Sequence, residues 1–184
     1  MTRDPAIIVV TGAQAAGKTT VGRLLAERFE RGAFVEADAL QRMIVSGRIW
    51  VTDVADEPGR PSGEALAQLR LRLRNSCMLA RSFFEEGFTV VIDDVILGER
   101  FDHLREDLAG LPFYLVVLAP SIPTVEARDA ARDKTVGGGW AEYLDREFRA
   151  TMSGTGLWID STDQTPEETV NEIVRRLDEG LIES

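Results

Sequence analysis

A glycine-framed loop near the start of the chain constrains its fold more than any other feature. Residues 12–19 read Gly-Ala-Gln-Ala-Ala-Gly-Lys-Thr and fit the pattern G-x-x-x-x-G-K-[ST] without a mismatch. An apolar, β-rich run precedes this loop at residues 6–11, and a helical pattern follows it at residues 20–29. Because the pattern needs a strand before it and a helix after it, this context makes it a strong phosphate-binding signal.

Each part of this phosphate loop (Gly12–Thr19) has a physical task. Gly12 and Gly17 allow tight turns, so that successive backbone N–H groups point at phosphate oxygens. The helix that begins near Lys18 adds the positive end of its dipole. We expect Lys18 near the β- and γ-phosphates and the Thr19 hydroxyl as a ligand of Mg²⁺. The predicted nucleotide contacts are Gly12, Ala13, Gln14, Ala15, Ala16, Gly17, Lys18, Thr19 and Thr20.

Composition and charge exclude several classes of protein. The chain has 184 residues, which suits one domain with a mobile insertion, and its net charge of −10 disfavours binding to duplex nucleic acid. The chain has one histidine and one cysteine, which argues against a zinc site and excludes an internal disulfide. We find no signal peptide and no apolar stretch of about 18 residues, which predicts a cytoplasmic protein without a membrane span.

Strands alternate with helices along the chain. Apolar runs predict strands at residues 6–11, 33–38, 88–92, 113–118 and 157–160. The alternation predicts a three-layer α/β fold, with a five-stranded parallel sheet, right-handed crossovers and helices on both faces. We expect residues 1–184 to form one domain, with a mobile lid at roughly 128–142 that contains three consecutive glycines.

Three carboxylates follow predicted strands and are therefore expected in one cleft, at the carboxyl ends of those strands. Asp38 ends the second predicted strand, where a carboxylate can orient an acceptor hydroxyl and take its proton. The alternative for Asp38 is a helix N-cap. Asp93 and Asp94 follow the third strand. We expect Asp93 to hold Mg²⁺ and Asp94 to contact the substrate, the alternative being solvation of a loop.

Arg128 and Arg132 stand four residues apart on a predicted helix and share one face. That face leads into the glycine-rich lid, from which arginines can clamp a transferring phosphoryl group. Because Asp129 and Asp133 are adjacent, a solvated helix face is the alternative.

A long helix is predicted between residues 62 and 87, after a polar loop at residues 48–61 that is either functional or mobile. Cys77 lies in its apolar stripe and is expected to be a small buried residue. Arg70, Arg74 and Arg81 lie near one side, where we expect solvation rather than contact with an anionic substrate.

With these motifs, the chain resembles the small P-loop kinases, and among them the chloramphenicol phosphotransferase-like group. That group pairs the glycine-framed loop with an aspartate that ends the second strand, here Asp38, and with a third strand that runs into acidic residues, here Asp93 and Asp94. Residues 159–162 (Ile-Asp-Ser-Thr), which a capped helix follows, resemble the adenine-side loop of shikimate- and gluconate-kinase-like chains. The resemblance implies a P-loop kinase fold and ATP-dependent phosphorylation of a hydroxyl on a small molecule.

Three functions fit these features. The first is a small-molecule kinase acting on a chloramphenicol-like antibiotic or similar metabolite. MgATP binds the phosphate loop, Asp38 is the general base, and Lys18, Arg128 and Arg132 stabilise the transferring group. The second is a nucleotide-dependent switch or NTPase whose output is a protein contact. The third is a kinase acting on a nucleotide, a nucleotide-sugar or a nucleic-acid end. Expected partners are a nucleotide and a small-molecule substrate, and we expect a monomer or homodimer.

Overall fold

The computed structural model describes residues 4–51, 63–131 and 140–183. Arg132, the three glycines of the predicted lid and most of the predicted loop at 48–61 lie outside the described residues. The strands are β1 (Ile7–Gly12), β2 (Gly32–Glu36), β3 (Thr89–Asp93), β4 (Phe113–Leu118), β5 (Leu157–Ile159) and β6 (Leu181–Ile182). The helices are α1 (Lys18–Ala26), α2 (Ala37–Arg42), α3 (Gly63–Glu85), α4 (Glu99–Asp107), α5 (Ile122–Ala130), α6 (Trp140–Met152) and α7 (Pro166–Arg176).

The first five strands form a parallel sheet in the order β2-β3-β1-β4-β5, which confirms the predicted fold class. The short strand β6 adds a sixth, antiparallel member beside β4, which the five-strand prediction lacks. A two-residue strand directly after a helical pattern is too short to show alternation. The strand order reverses beside β1, so the phosphate loop leaves the sheet at the point where open parallel sheets bind ligands.

Alternating side chains of β1 cover the two faces of the sheet. Ile7 and Val9 pack into a core with α3, α4 and α6, whereas Ile8 and Val10 pack into a second core with α1 and α7. All four side chains are fully buried. The sheet therefore lies between two helical layers, as the uninterrupted apolar strands predict.

Two boundaries differ from the sequence prediction and matter for the site. Helix α1 ends at Ala26 rather than near Glu30, and the N–H groups of Arg28 and Phe29 instead bond three residues back, to the carbonyl oxygens of Leu25 and Ala26. The Ala26 carbonyl packs against Gly32, where an added Cβ would lie 1.9 Å from that oxygen. Strand β2 ends at Glu36, after its last pairing with Asp93, and α2 begins at once. Asp38 therefore lies in the first turn of a helix and not at the end of a strand.

The long helix α3 confirms the prediction for Cys77, which is 1% exposed. The prediction of solvation is wrong for two of its arginines, which tie α3 to α4. Arg70 donates to both carboxylate oxygens of Asp107, and Arg81 donates to the carbonyl oxygens of Asp107 and Ala109.

Candidate active site

A cavity of about 740 Å³ opens at the carboxyl ends of β1 and β3. Its size falls within the range of roughly 300–1,000 Å³ that is usual for small-molecule sites. The phosphate loop forms one end. The other walls carry the apolar and aromatic side chains Ile49, Trp50, Val51, Leu66, Leu69, Val95, Leu97, Trp140, Tyr143 and Leu144. The cavity thus joins a phosphate-binding end to an apolar compartment.

The phosphate loop has its characteristic backbone shape. Gly12 has a φ of 144°, and a Cβ at this position would lie 2.3 Å from the carbonyl oxygen of Leu118 in β4. Gly17 has a φ of 100° and stands at the N-cap of α1. The Lys18 ammonium group donates to the carbonyl oxygen of Ala13 at 2.8 Å, across the mouth of the loop. Glycine is thus required at two points, and the lysine lies where a phosphate chain enters.

Thr19 and Asp93 bring two oxygen ligands to one point. The Thr19 hydroxyl donates to Asp93 Oδ2 at 2.5 Å. Asp93 is 6% exposed, and burial raises its pKa above the usual value although the positive charge of Lys18 acts in the opposite direction. A hydroxyl and a carboxylate next to a phosphate site are the oxygen donors that Mg²⁺ prefers, so these two residues fit the expected cation.

Asp38 lines the same cavity as Lys18. Its side chain is 53% exposed, and its Oδ1 accepts a hydrogen bond from Arg72 Nη1 at 3.0 Å. The N-cap position of α2 is held by Glu36, so the alternative of an N-cap role does not apply to Asp38. Although Asp38 lies in α2 and not at the end of a strand, it lines the cavity, as expected.

Asp94 lies beside Asp93 in sequence, but its carboxylate pairs with different residues. Asp94 Oδ1 accepts from Arg72 Nη2 at 2.5 Å and from the Val95 backbone N–H at 2.8 Å, and Oδ2 accepts from Arg100 Nη2 at 2.6 Å. Burial alone would raise the pKa of this carboxylate, which is 1% exposed, but Arg72 and Arg100 hold it below the usual range. Both oxygens that were expected to contact substrate are thus engaged in ion pairs.

Arg72 is a site residue that sequence reasoning missed. It is 8% exposed, lines the cavity and lies on the buried face of α3 together with Leu73 and Ser76. Its position in the sequence could have revealed it, because Arg72 falls at the helical spacing of the apolar residues of α3. An arginine on the buried face of a helix needs an acidic partner, since charged side chains are rarely buried unpaired.

Arg128 contacts the phosphate loop but does not belong to the described lining of the cavity. Its guanidinium donates to the carbonyl oxygens of Ala16 at 3.3 Å and Ser161 at 3.0 Å. It therefore connects α5 to the phosphate loop and to the loop after β5. The expectation that Arg128 and Arg132 share one helix face stays a prediction, because Arg132 lies outside the described residues.

Two glutamines, also missed, fix the segment that carries the aromatic wall. Gln68 Oε1 accepts from Gln41 Nε2 and from the Ile49 N–H, both at 2.9 Å. Gln68 Nε2 donates to the carbonyl oxygen of Gly47 at 2.8 Å. Because these bonds hold the chain just before Trp50, they orient the apolar end of the cavity.

The sheet order and the phosphate loop, with a carboxylate beside it, define a small P-loop kinase. A family model described as chloramphenicol phosphotransferase-like protein matches residues 5–178. The chain therefore belongs to the chloramphenicol phosphotransferase-like family, whose members are phosphotransferases of the kinase type.

Similarity to individual proteins agrees with this assignment. A shikimate kinase of Chromohalobacter salexigens is 29% identical over 176 residues, which cover 92% of this chain and 90% of that protein. The tunicamycin resistance protein of Deinococcus radiodurans has a TM-score of 0.69 at 18% identity, covering 99% of this chain and 100% of that chain. The APS kinase of Mycobacterium tuberculosis, solved with AMPPNP and APS, has a TM-score of 0.67 at 19% identity. The match covers 96% of this chain and 99% of that chain. These two structures support the fold. Within the described residues, no helix is long and apolar enough to cross a membrane.

Proposed function

We propose that this protein transfers the γ-phosphate of ATP to a hydroxyl group of a small molecule, with Asp38 as the general base. The observation that carries the proposal is the shared cavity: Asp38 and Lys18 both line it, and an apolar compartment adjoins them. A hydrolytic switch needs no such compartment beside its phosphate site. This arrangement therefore favours an acceptor molecule over water.

The nucleotide end of the cavity can be assigned residue by residue. The backbone N–H groups of the phosphate loop would hold the phosphate chain, and Lys18 would exchange its bond to the Ala13 carbonyl for phosphate oxygens. Thr19 and Asp93 would hold Mg²⁺, which neutralises phosphate charge when bound. Arg128 joins the phosphate loop to the loop after β5, so its proposed role is to shape the nucleotide side and not to contact the transferring group.

Asp38 supports transfer through its second carboxylate oxygen. Because Arg72 holds Oδ1, Oδ2 is left to accept the proton of an acceptor hydroxyl. Orientation of that hydroxyl and removal of its proton are the contributions a general base makes to phosphoryl transfer. Lys18 stabilises the charge that builds up on the transferring group.

The apolar compartment favours an acceptor with an aromatic or apolar body, such as a chloramphenicol-like antibiotic or a similar metabolite. Trp50, Trp140 and Tyr143 provide wide, flat contact surfaces in its wall. The test is turnover of ATP against a panel of hydroxylated small molecules, with the products analysed by mass spectrometry. A gain of one phosphoryl group on a panel member supports the proposal. Steady hydrolysis of ATP with every acceptor unmodified would instead favour the NTPase alternative.

A further inference from the structure

Arg72 lies between two carboxylates of different exposure. Its Nη1 is 3.0 Å from Asp38 Oδ1, and its Nη2 is 2.5 Å from Asp94 Oδ1. The Asp94 side chain is 1% exposed, whereas that of Asp38 is 53% exposed. Arg100 pairs with the other oxygen of Asp94 at 2.6 Å. These four side chains form a continuous ion-pair chain, Arg100–Asp94–Arg72–Asp38, which runs from α4 through the end of β3 to α3 and α2.

The ion-pair chain is balanced in charge, with two guanidinium groups and two carboxylates. Its buried members are expensive to desolvate, and such pairs often stabilise a fold no better than apolar residues would. The Nε of Arg72 is also buried and has no hydrogen-bond partner within the described residues. An unsatisfied buried donor lowers stability, because it has lost its hydrogen bonds to water without replacement. Stability alone therefore gives a weak account of why an arginine stands at position 72.

We propose that Arg72 is a positioning residue for phosphoryl transfer, which fixes the carboxylate of Asp38 so that Oδ2 meets the acceptor hydroxyl. Asp94 in turn fixes Arg72, and Arg100 fixes Asp94. The inference rests on the proposed role of Asp38 as the general base. In this inference Asp94 does not contact the acceptor itself. It acts on the acceptor through Arg72 and Asp38.

Positioning matters here because, among the described residues, Arg72 alone donates a hydrogen bond to the Asp38 carboxylate. It stands in the first turn of a six-residue helix, with half of its side chain exposed. A carboxylate in that setting rotates among several staggered rotamers. Since a misplacement of about 1 Å at a reacting group can lower a rate on the order of 100-fold, one firm contact to Oδ1 has a large effect on turnover.

The test compares Arg72→Ala and Arg72→Lys with the matched control Arg70→Ala. Arg70 is on the same helix and pairs with the carboxylate of Asp107, outside the described lining of the cavity. With an acceptor found in the panel, we expect Arg72→Ala to lower kcat by roughly 10- to 100-fold, while KM for ATP stays within about twofold. Millimolar guanidinium chloride should restore part of the lost kcat, and Arg70→Ala should keep the wild-type kcat.

A double variant separates positioning from direct binding of the acceptor. If Arg72 acts through Asp38, then Asp38→Asn/Arg72→Ala will be no slower than Asp38→Asn alone, because the positioned group is already lost. A further fall in rate, or a raised acceptor KM with unchanged kcat in Arg72→Ala, would overturn the inference and make Arg72 an acceptor-binding residue. Arg72→Lys keeps the positive charge, and it replaces Arg72→Ala in the same kinetic comparison if the alanine variant does not fold.

A measurement without any acceptor keeps the two proposals distinguishable. Nitrogen-15 NMR of the arginine side chains reports how fast each guanidinium rotates. We expect Asp38→Asn to speed rotation of Arg72 and to leave Arg70 unchanged. An unchanged Arg72 signal overturns the inference. A wild-type protein that phosphorylates no member of the panel overturns the proposed function, and the positioning role is lost with it.

Discussion

The Thr19 hydroxyl and the Asp93 carboxylate lie 2.5 Å apart, joining the first turn of α1 to the end of β3. Asp93 is buried there, and its pKa is raised by that burial. Burial therefore disfavours the ionised form of this carboxylate, whereas a bound cation would favour it.

The first prediction follows from the raised pKa of Asp93. A raised folded-state pKa gives stability that is present below the unfolded-state pKa and is lost as pH rises through the folded-state value. We therefore expect Asp93→Asn to increase the free energy of unfolding of the nucleotide-free protein at pH 7, and to weaken Mg²⁺-dependent nucleotide binding by roughly 10- to 100-fold. Urea unfolding and titration calorimetry measure the two effects. A decrease in stability together with unchanged binding would contradict the assignment.

The second prediction concerns Asp94, whose pKa is lowered by Arg72 and Arg100 against the effect of burial. A lowered folded-state pKa gives stability that is present above the unfolded-state pKa and is lost as pH falls through the folded-state value. Asp94→Ala should destabilise the protein by about 3–5 kcal/mol at pH 7, because two arginines lose their buried partner. The difference from wild type should shrink below about pH 4.

The control for Asp94 is Asp145→Ala, which breaks an exposed pair with Arg149 on α6. Such a pair contributes about 0.3–0.5 kcal/mol. Equal losses for both variants in urea unfolding would contradict the burial of Asp94 between two arginines.

The third prediction tests the shape of the phosphate loop. In Gly12→Ala the new methyl group would lie 2.3 Å from the Leu118 carbonyl oxygen, so either β4 or the loop must move. Gly110→Ala is the matched control, since it also has positive φ, at 80°, but no heavy atom within 4 Å. We expect the control to lose about 1–2 kcal/mol of stability and to bind ATP normally. Gly12→Ala should lose nucleotide binding, and normal ATP affinity in that variant would refute the close packing.

The fourth prediction concerns Cys77, where burial raises the thiol pKa to about 12. The thiol should therefore resist alkylation by iodoacetamide at pH 8 in the folded protein and react readily in urea. Because the folded-state pKa is raised, its contribution to stability should fall as pH rises from about 9 toward 12, and Cys77→Ala should lack this component. Rapid alkylation of the native protein at pH 8 would contradict the burial of this side chain.

Sequence reasoning succeeded where a single local pattern determines the structure. The phosphate loop and the apolar strands specify a parallel sheet, because each pattern allows few alternatives. Asp38 lines the same cavity as Lys18 although it lies in a helix and not at the end of a strand, since a shift of one or two residues at the end of β2 leaves it at the same edge of the sheet.

The missed parts of the site depend on contacts between distant segments. Arg72 pairs with residues 34 and 22 positions away, and Gln68 bonds to a residue 27 positions away. No short pattern reports which buried polar group meets which partner. The ion pairs of Asp94 with Arg72 and Arg100 escape prediction for the same reason, because the position of Asp94 after β3 is visible in the sequence but its two partners are not.

The most direct test of the account is phosphoryl transfer by Asp38→Asn, measured beside Glu36→Gln. Glu36 ends β2 and pairs with Arg42 outside the cavity lining, so its variant controls for loss of a nearby carboxylate. We predict that Asp38→Asn loses transfer to the acceptor by on the order of 100-fold or more, with ATP affinity within about twofold of wild type, while Glu36→Gln keeps both. Full transfer activity in Asp38→Asn would contradict the central claim that Asp38 is the base.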